Sequence, residues 1–101
     1  MATAGNNQTI TSSRTRIFDS EFDGGRCHRF LIGCRSSSPH GILINIPQLH
    51  LEDEFVGVPA GAFVAFEVIN VCQINGITDV FVKGDGGNAI IDYGVIAKYT
   101  N

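Results

Sequence analysis

Residues 84–87, Gly-Asp-Gly-Gly, have the composition of a loop that binds phosphate groups. Phosphate binding by such a loop requires a helix directly after the glycines, because the N–H groups at a helix N-terminus converge on the anion. Residues 88–98 instead have the alternating pattern of a strand. The sequence therefore predicts a tight hairpin loop. A calcium site at Asp85 and Asn88 would need about six oxygen ligands, and these two side chains supply only part of that set.

Residues 50–54, His-Leu-Glu-Asp-Glu, are the densest group of metal-ligand side chains. With His28 or His40 brought near by folding, they would form a two-histidine, one-carboxylate site of the kind used by small β-barrel enzymes. Such sites usually place two histidines one residue apart on a strand, and the chain has no His-x-His pair. The sequence favours an acidic, solvated loop in which His50 is hydrogen-bonded. A small metal-dependent β-barrel enzyme is kept as an alternative.

A cysteine or serine nucleophile needs a histidine beside it and an acid that orients the histidine. Cys27 and His28 are adjacent in the sequence, and on a strand adjacent side chains point to opposite faces. Cys27, Cys34 and Cys72 lie in apolar, strand-like segments, which predicts buried free thiols. We predict no catalytic, cofactor-binding or metal-binding residue and no cofactor, and we do not expect the chain to be an enzyme.

Carbohydrate-binding sandwiches present a flat platform of exposed aromatic side chains, usually Trp or Tyr. The chain has no Trp, and its tyrosines are Tyr93 and Tyr99. The seven phenylalanines lie mostly at alternating, core-like positions. A lectin-like role would therefore depend on an aromatic face that includes Tyr93 or Tyr99.

The bulk composition is that of one small folded domain. The chain has 101 residues, 17% charged residues and a formal net charge of −3 at pH 7. Nucleic-acid binding needs a concentrated basic face, and the chain has no lysine or arginine block. No apolar run reaches the ~20 residues of a membrane helix, and the first residues lack the features of a signal peptide. We expect synthesis in the cytoplasm and neither nucleic acid nor membrane as a partner.

The cations are distributed unevenly along the chain. Five arginines occur within the first 35 residues, namely Arg14, Arg16, Arg26, Arg29 and Arg35. The simpler interpretation is that they lie on solvated strand faces. The alternative is a local surface for an anionic partner.

Short strand-like segments separated by turn residues run through most of the chain. Their alternation places Ile42, Ile44 and Ile46 on one face, and puts Phe30 and Ile32 on the face opposite Cys27. No window of 11 or more residues has a helical apolar period. This pattern predicts an all-β, single-domain antiparallel β-sandwich, jelly-roll or immunoglobulin-like, of about seven strands over residues 14–101. Residues 1–13 are mostly small and polar, which predicts an extended N-terminal arm.

Residues 61–98 form the clearest strand pattern and are predicted to be three successive strands joined by two glycine turns. Asn75-Gly76 is typical of a two-residue hairpin turn. Residues 62–71 are nearly continuously apolar, which predicts a central strand covered by a second sheet and by a neighbouring subunit. Gly94, inside the last strand, indicates a bulge or a close approach of another backbone.

Two segments carry a resemblance to a known class of proteins. The first is GILINIPQLH at 41–50 with EFVGVPAG at 54–61 and Phe66, and the second is ITDVFVKGDGGNA at 77–89 with YGVIAK at 93–98. Over residues 41–98 the chain resembles small β-sandwich virion proteins of tailed bacteriophages, which decorate capsids or form head and tail appendages.

The resemblance implies a non-catalytic structural protein of a virus particle, found in the virion after synthesis in the host cytoplasm. Such a protein is a capsid decoration or cement subunit, or an appendage subunit. It forms a trimer or another closed ring and contacts the major capsid protein or another virion protein. The arm would contact neighbouring shell proteins, so a chain without residues 1–13 is expected to fold but to assemble poorly. A carbohydrate- or receptor-binding β-sandwich module is the main alternative.

Overall fold

The computed structural model describes residues 4–23, 26–67 and 76–98. Within these residues the chain forms eight strands and one single-turn helix. In chain order they are β1 (Ala4–Ile10), β2 (Thr15–Asp19), α1 (Ser20–Asp23), β3 (Cys27–Cys34), β4 (Ile42–Asn45), β5 (Val56–Val58), β6 (Phe63–Glu67), β7 (Asp79–Gly84) and β8 (Ala89–Lys98). No helix in these ranges is long and apolar enough to cross a membrane.

The strands form two four-stranded antiparallel sheets, ordered β1-β8-β3-β6 and β2-β7-β4-β5. Strand β1 pairs with β8, β2 with β7, β3 with β6, and β4 with β5, so the first four strands pair with the last four in reverse order. The pairs β3–β8 and β4–β7 complete the sheets. One long antiparallel ribbon folded into two layers in this way is a jelly roll. The predicted β-sandwich is confirmed in its jelly-roll form.

The core lies between the two sheets and is built from alternate residues of the inner strands. Phe30, Ile32, Ile42 and Ile44 are almost completely buried, as their alternation predicts. Other buried apolar residues are Ile10, Ile17, Phe18, Cys27, Cys34, Ile46, Val58, Phe66, Ile77, Val80, Val82, Ala89 and Ile91. The rings of Phe18 and Phe30 pack across the sandwich with their centroids 5.8 Å apart. These contacts hold the two layers together.

Cys27 lies on the buried face of β3, and not on the opposite face that the alternation predicts. The sequence pattern places Cys27 on the face opposite Phe30, yet both side chains are fully buried. The β3–β8 register shifts between Cys27 and Phe30, which is the mark of a bulge. A bulge adds one residue to one strand and so reverses the phase of the residues beyond it. Cys27 therefore turns inward and exchanges two backbone hydrogen bonds with Ile77.

Most of the predicted N-terminal arm is a strand of the sandwich. Residues 4–10 form β1, which lies at the edge of its sheet and pairs with β8, and the side chain of Ile10 is part of the core. Residues 1–3 lie outside the described ranges. The polar composition of β1 fits its place at a sheet edge, where one face and one side remain exposed to water.

The last third of the chain is not the predicted three-stranded meander. Strands β6 and β8 belong to one sheet and β7 to the other, so no two successive strands of this region pair. Strand β6 is an edge strand, whereas its apolar composition predicted a central one. Its Phe66 is buried, but Phe63 and Ala65 are exposed. Residues 68–75, including Cys72 and the first residue of the predicted Asn75-Gly76 turn, lie outside the described ranges.

Candidate functional site

The glycine segment 84–87 connects the two sheets. It leaves β7 at Gly84 and enters β8 in the opposite sheet, so it is neither a hairpin loop nor the start of a helix. The N–H groups of Gly84 and Asp85 donate to the carbonyl oxygens of Thr11 and Gly41, at 2.7 and 2.9 Å. Because these donors are already engaged within the fold, the segment acts as a structural corner.

His40 and His50 serve local structure. The backbone N–H of Ile46 donates to Nδ1 of His50 at 3.0 Å, which confirms the predicted hydrogen bond of that side chain. His40 Nδ1 lies 3.0 Å from the carbonyl oxygen of Asn88. Within residues 4–23, 26–67 and 76–98, no three side chains of His, Cys, Asp or Glu are grouped so that they could hold a metal ion.

The other residues considered for chemistry are also placed by packing. Cys27 and Cys34 are buried free thiols, and the Cys34 thiol donates to the carbonyl oxygen of His40 at 3.3 Å. The ring of Tyr93 is half-buried and stacks on Phe30 with the centroids 6.0 Å apart. Tyr93 is therefore not a free aromatic platform, and Tyr99 lies outside the described residues.

A groove of about 510 Å³ crosses the outer face of the sheet β1-β8-β3-β6. Gly33 and Gly94, on neighbouring strands, lie where side chains would otherwise fill it. Phe63 stands at one side and is 73% exposed. The nearest atom to a Cβ placed at Gly94 would be the Cβ of Ala4, at 3.8 Å. No other backbone therefore approaches Gly94 closely. Gly94 pairs regularly, contrary to the predicted bulge or close approach, and its small size opens the groove instead.

An ion pair lies in the same groove. Nε and Nη2 of Arg35 donate to the two carboxylate oxygens of Asp92, at 2.8 and 3.0 Å. The backbone N–H of Asn7 donates to Asp92 Oδ1 at 2.8 Å. The hydrogen bond from Arg35, followed by that from Asn7, lowers the pKa of Asp92 below its ordinary value. The carboxylate is therefore ionised at neutral pH, and its charge is balanced by the guanidinium.

Strand β1 is distorted where it borders this groove. Its register with β8 shifts between Gly5 and Gln8, and Asn7 has a φ of 54°. A positive φ is uncommon for a residue other than glycine, although asparagine adopts it more readily than most. The distortion turns the N–H of Asn7 toward Asp92 and places Asn6 at the groove.

Comparison with family models, with curated proteins and with solved structures gives no significant match for this chain.

A second surface is the loop of residues 46–55 between β4 and β5, here called the β4–β5 loop. Asn45, which is fully buried, holds this loop through its side-chain amide. Nδ2 donates to the carbonyl oxygens of Leu51 and Glu54, at 2.8 and 2.7 Å, and Oδ1 accepts from Nη2 of Arg14 at 3.1 Å. The carboxylate of Glu54 also accepts from the N–H of Leu51 at 2.7 Å. These bonds fix the loop in one conformation.

The β4–β5 loop exposes apolar side chains despite this order. Leu51 is 69% exposed and Leu49 is 41% exposed. Glu52 and Asp53 are exposed beside them. The loop therefore carries a small apolar patch that is bordered by acidic side chains.

A cationic, aromatic area adjoins this loop, shares Phe55 with it and is here called the cationic face. The guanidinium carbon of Arg14 lies 3.7 Å from the ring centroid of Phe81. Lys83 Nζ lies 4.3 Å from the ring centroid of Phe55. Arg14 belongs to the arginine-rich first 35 residues noted in the sequence. The rings beneath Arg14 and Lys83 could not be predicted, because each cation and its ring come from different strands or loops.

Proposed function

We propose that the chain is a non-catalytic structural protein of a virus particle, a capsid decoration or cement subunit or an appendage subunit. It associates with copies of itself into a trimer or another closed ring and contacts the major capsid protein or another virion protein. The β4–β5 loop carries this proposal, since a fully buried asparagine orders a loop whose leucines are exposed. The jelly-roll fold is compatible with it, because virus shells use this fold, as do lectins and cupins.

A second copy of this chain is the occupant that charge complementarity favours for the loop. The loop presents Leu49 and Leu51 beside the exposed acids Glu52 and Asp53. The cationic face offers Arg14 on the ring of Phe81 and Lys83 on the ring of Phe55. Because the two surfaces adjoin on each copy, they can pair reciprocally about a two-fold axis or head-to-tail around a ring, and both arrangements are closed. Because the loop is already ordered, association costs little conformational entropy.

A charge-swap experiment tests this contact. Lys83→Glu and Glu52→Lys/Asp53→Lys should each weaken self-association by at least about tenfold, because each places like charges across the contact. The triple variant that combines these changes should recover much of the lost affinity. Sedimentation equilibrium measures the dissociation constants, and Phe63→Ser, which removes an exposed apolar group on the other sheet, is the control. Equal affinities in all variants would refute the loop contact.

The virion role has its own test. Particles of the virus that encodes this chain are purified and digested, and peptides of the chain are quantified by mass spectrometry against those of the major shell protein. The proposal predicts a fixed stoichiometric ratio that persists through repeated purification. A ratio that falls toward zero with each purification step would contradict a structural role in the particle.

A further inference from the structure

We propose that the groove on the outer face of the sheet β1-β8-β3-β6 is a binding site for a neutral saccharide. Several features that arise far apart in the sequence meet there: a glycine floor at Gly33 and Gly94, the exposed ring of Phe63, and the Arg35–Asp92 pair. The volume of about 510 Å³ lies within the range of small-molecule sites, about 300–1,000 Å³. This site is separate from the β4–β5 loop and does not depend on self-association.

The polar groups of the groove favour a ligand that both donates and accepts hydrogen bonds. The guanidinium of Arg35 has five N–H donors, and two of them are directed at Asp92. The carboxylate of Asp92 accepts from Arg35 and from the backbone of Asn7, and carboxylate oxygens have further lone pairs. A hydroxyl group of a sugar can accept from the guanidinium while its neighbour donates to the carboxylate. Hydrogen bonds to ionised partners of this kind are the stronger ones.

The charge balance of the groove argues against an ionic ligand. Arg35 and Asp92 are in contact, so their charges cancel at short range. An anion would meet the carboxylate and a cation would meet the guanidinium, and either would have to break the pair. An apolar ligand would remove the pair from water without replacing its hydrogen bonds, which is costly. A neutral polyhydroxylated ligand avoids these penalties.

The apolar part of the groove fits the other side of a sugar. A pyranose ring carries a face of C–H groups, and such faces pack on aromatic rings. Phe63 is 73% exposed beside the glycine floor, where a Cβ at Gly33 would lie 3.1 Å from the Cβ of Phe63. The absence of a side chain at Gly33 therefore leaves room for a ring to lie against Phe63. Phe63 here takes the part that Trp or Tyr usually has in carbohydrate-binding sandwiches.

The shape of β1 supports a site at this place. Asn7 has a positive φ in a bulge, and the N–H that it turns toward Asp92 fixes the carboxylate. Bulges and residues in sparsely populated backbone conformations occur often beside functional sites. The bulge also places Asn6 at the groove, where an amide can bond further hydroxyl groups.

The test begins with an array of neutral oligosaccharides built from glucose, galactose, mannose and N-acetylglucosamine. Each saccharide that binds is titrated into ¹⁵N-labelled full-length protein, with the amides of Gly33 and Gly94 as reporters. We expect at least one neutral saccharide to shift these amides with saturation. No shift with any of them up to about 10 mM would overturn the proposal. The array also carries sialylated and sulfated glycans, and shifts caused only by these charged glycans would overturn the proposal. Shifts that follow protein concentration instead of saccharide concentration would also overturn it.

Variants of the groove then locate the site. Phe63→Ala, Arg35→Gln and Gly94→Val should each weaken binding at least tenfold. Gly94→Val fills the floor with a residue that strands accept well, and no neighbour lies closer than 3.8 Å to the added Cβ. The matched control is Arg29→Gln. It removes the ion pair between Arg29 and Glu67, which lies on the same sheet but outside the groove. The two pairs are similarly exposed: both side chains of the Arg29–Glu67 pair are 42% exposed, compared with 43% for Arg35 and 37% for Asp92.

Two measurements separate the possible outcomes. Phe63, Arg35 and Arg29 are all partly or largely exposed, so we expect these variants to fold. The melting temperature of each variant checks that it is folded. The proposal requires that Arg29→Gln keep the affinity of the original chain while the groove variants lose it. Equal loss in Arg29→Gln and Arg35→Gln would refute a site at the groove. Leu51→Ser, which removes an exposed apolar group of the β4–β5 loop, should bind saccharide normally. Failure of the self-association proposal would therefore leave this one intact.

Discussion

Asn45 is the residue on which the β4–β5 loop depends. Its side chain is fully buried and bonded to Leu51, Glu54 and Arg14. Asn45→Ala would remove the side-chain donor to the carbonyl oxygens of Leu51 and Glu54, although the Leu51 carbonyl still accepts from the N–H of Glu54 at 3.0 Å. Because Asn45 itself is fully buried and its hydrogen bonds are lost, we expect the free energy of unfolding to fall by about 1–3 kcal/mol, measured by urea denaturation. We also expect self-association to weaken because the leucines lose their fixed position.

A surface asparagine provides the control for this prediction. Asn88→Ala changes an exposed side chain, and exposed substitutions usually alter stability by no more than about 0.5 kcal/mol. If Asn45→Ala were as stable as Asn88→Ala, the loop would be held by other contacts and the argument from Asn45 would be wrong.

The ionisation of Asp92 should make the stability of the folded chain weakly dependent on pH. The hydrogen bond from Arg35, and then that from the Asn7 backbone, lower the pKa of Asp92 in the folded chain. The folded state therefore binds fewer protons than the unfolded state near this pKa. The stabilising contribution is present above the ordinary pKa of about 4 and is lost as the pH falls through the folded pKa. Both side chains are more than one-third exposed, so the contribution is small.

The carboxyl carbon of Asp92 reports this titration directly. In a ¹³C NMR titration we expect a midpoint below the ordinary value of 3.8. Arg35→Gln should move the midpoint upward, because it removes the main cause of the shift. Arg29→Gln should leave it unchanged. The same midpoint in the original chain and in Arg35→Gln would show that the ion pair does not persist in solution.

At the scale of elements, β1 is part of the sandwich. It contributes Ile10 to the core and covers one edge of β8. Removal of residues 1–13 should therefore destabilise the domain by several kcal/mol, because it removes a buried side chain and exposes the edge of a long strand. This differs from the arm predicted by composition, whose loss would impair assembly alone.

Two truncations distinguish these outcomes. Removal of residues 1–3 keeps β1, and its thermal midpoint is expected to stay close to that of the full chain. Removal of residues 1–13 should lower the midpoint by well over 5 °C. If the chain without residues 1–13 had the same thermal midpoint as the full chain but assembled poorly, the segment would be an arm, as its composition predicts.

The sequence predicted strands better than it predicted their partners. Alternation correctly placed the isoleucines of β4 and the apolar residues of β3 from Phe30 to Cys34. It failed at Cys27, because a bulge depends on the partner strand and leaves no local pattern. It also took the segment 84–87 for a hairpin, since turn residues look alike whether the next strand pairs with the last or crosses to the other sheet.

The candidate sites were harder to predict for the same reason. Arg35 and Asp92 are 57 positions apart, and neither has a distinctive neighbourhood in the sequence. Gly33 and Gly94 were visible as glycines within strands, but only the pairing of β3 with β8 puts both in one groove. The β4–β5 loop was recognised as acidic, with His50 hydrogen-bonded. The exposure of Leu51 could not be predicted, because apolar residues are ordinarily assigned to the core.

At the scale of the whole molecule, the jelly roll separates the two proposed surfaces. The saccharide groove lies on the outer face of one sheet, and the cationic face lies on the other. Variants on one sheet should therefore leave the other function unchanged, since well-separated sites with no shared partners behave additively. A protein that joins copies through one face and holds a saccharide on the other would serve as an exposed structural subunit.

The most direct test of self-association is the mass of the full-length chain in solution. Native mass spectrometry and light scattering at physiological ionic strength should give a closed oligomer, such as a trimer, with a single integral number of copies over a range of protein concentrations. A mass equal to one chain at every concentration would contradict the central claim that this jelly roll is a self-associating structural subunit.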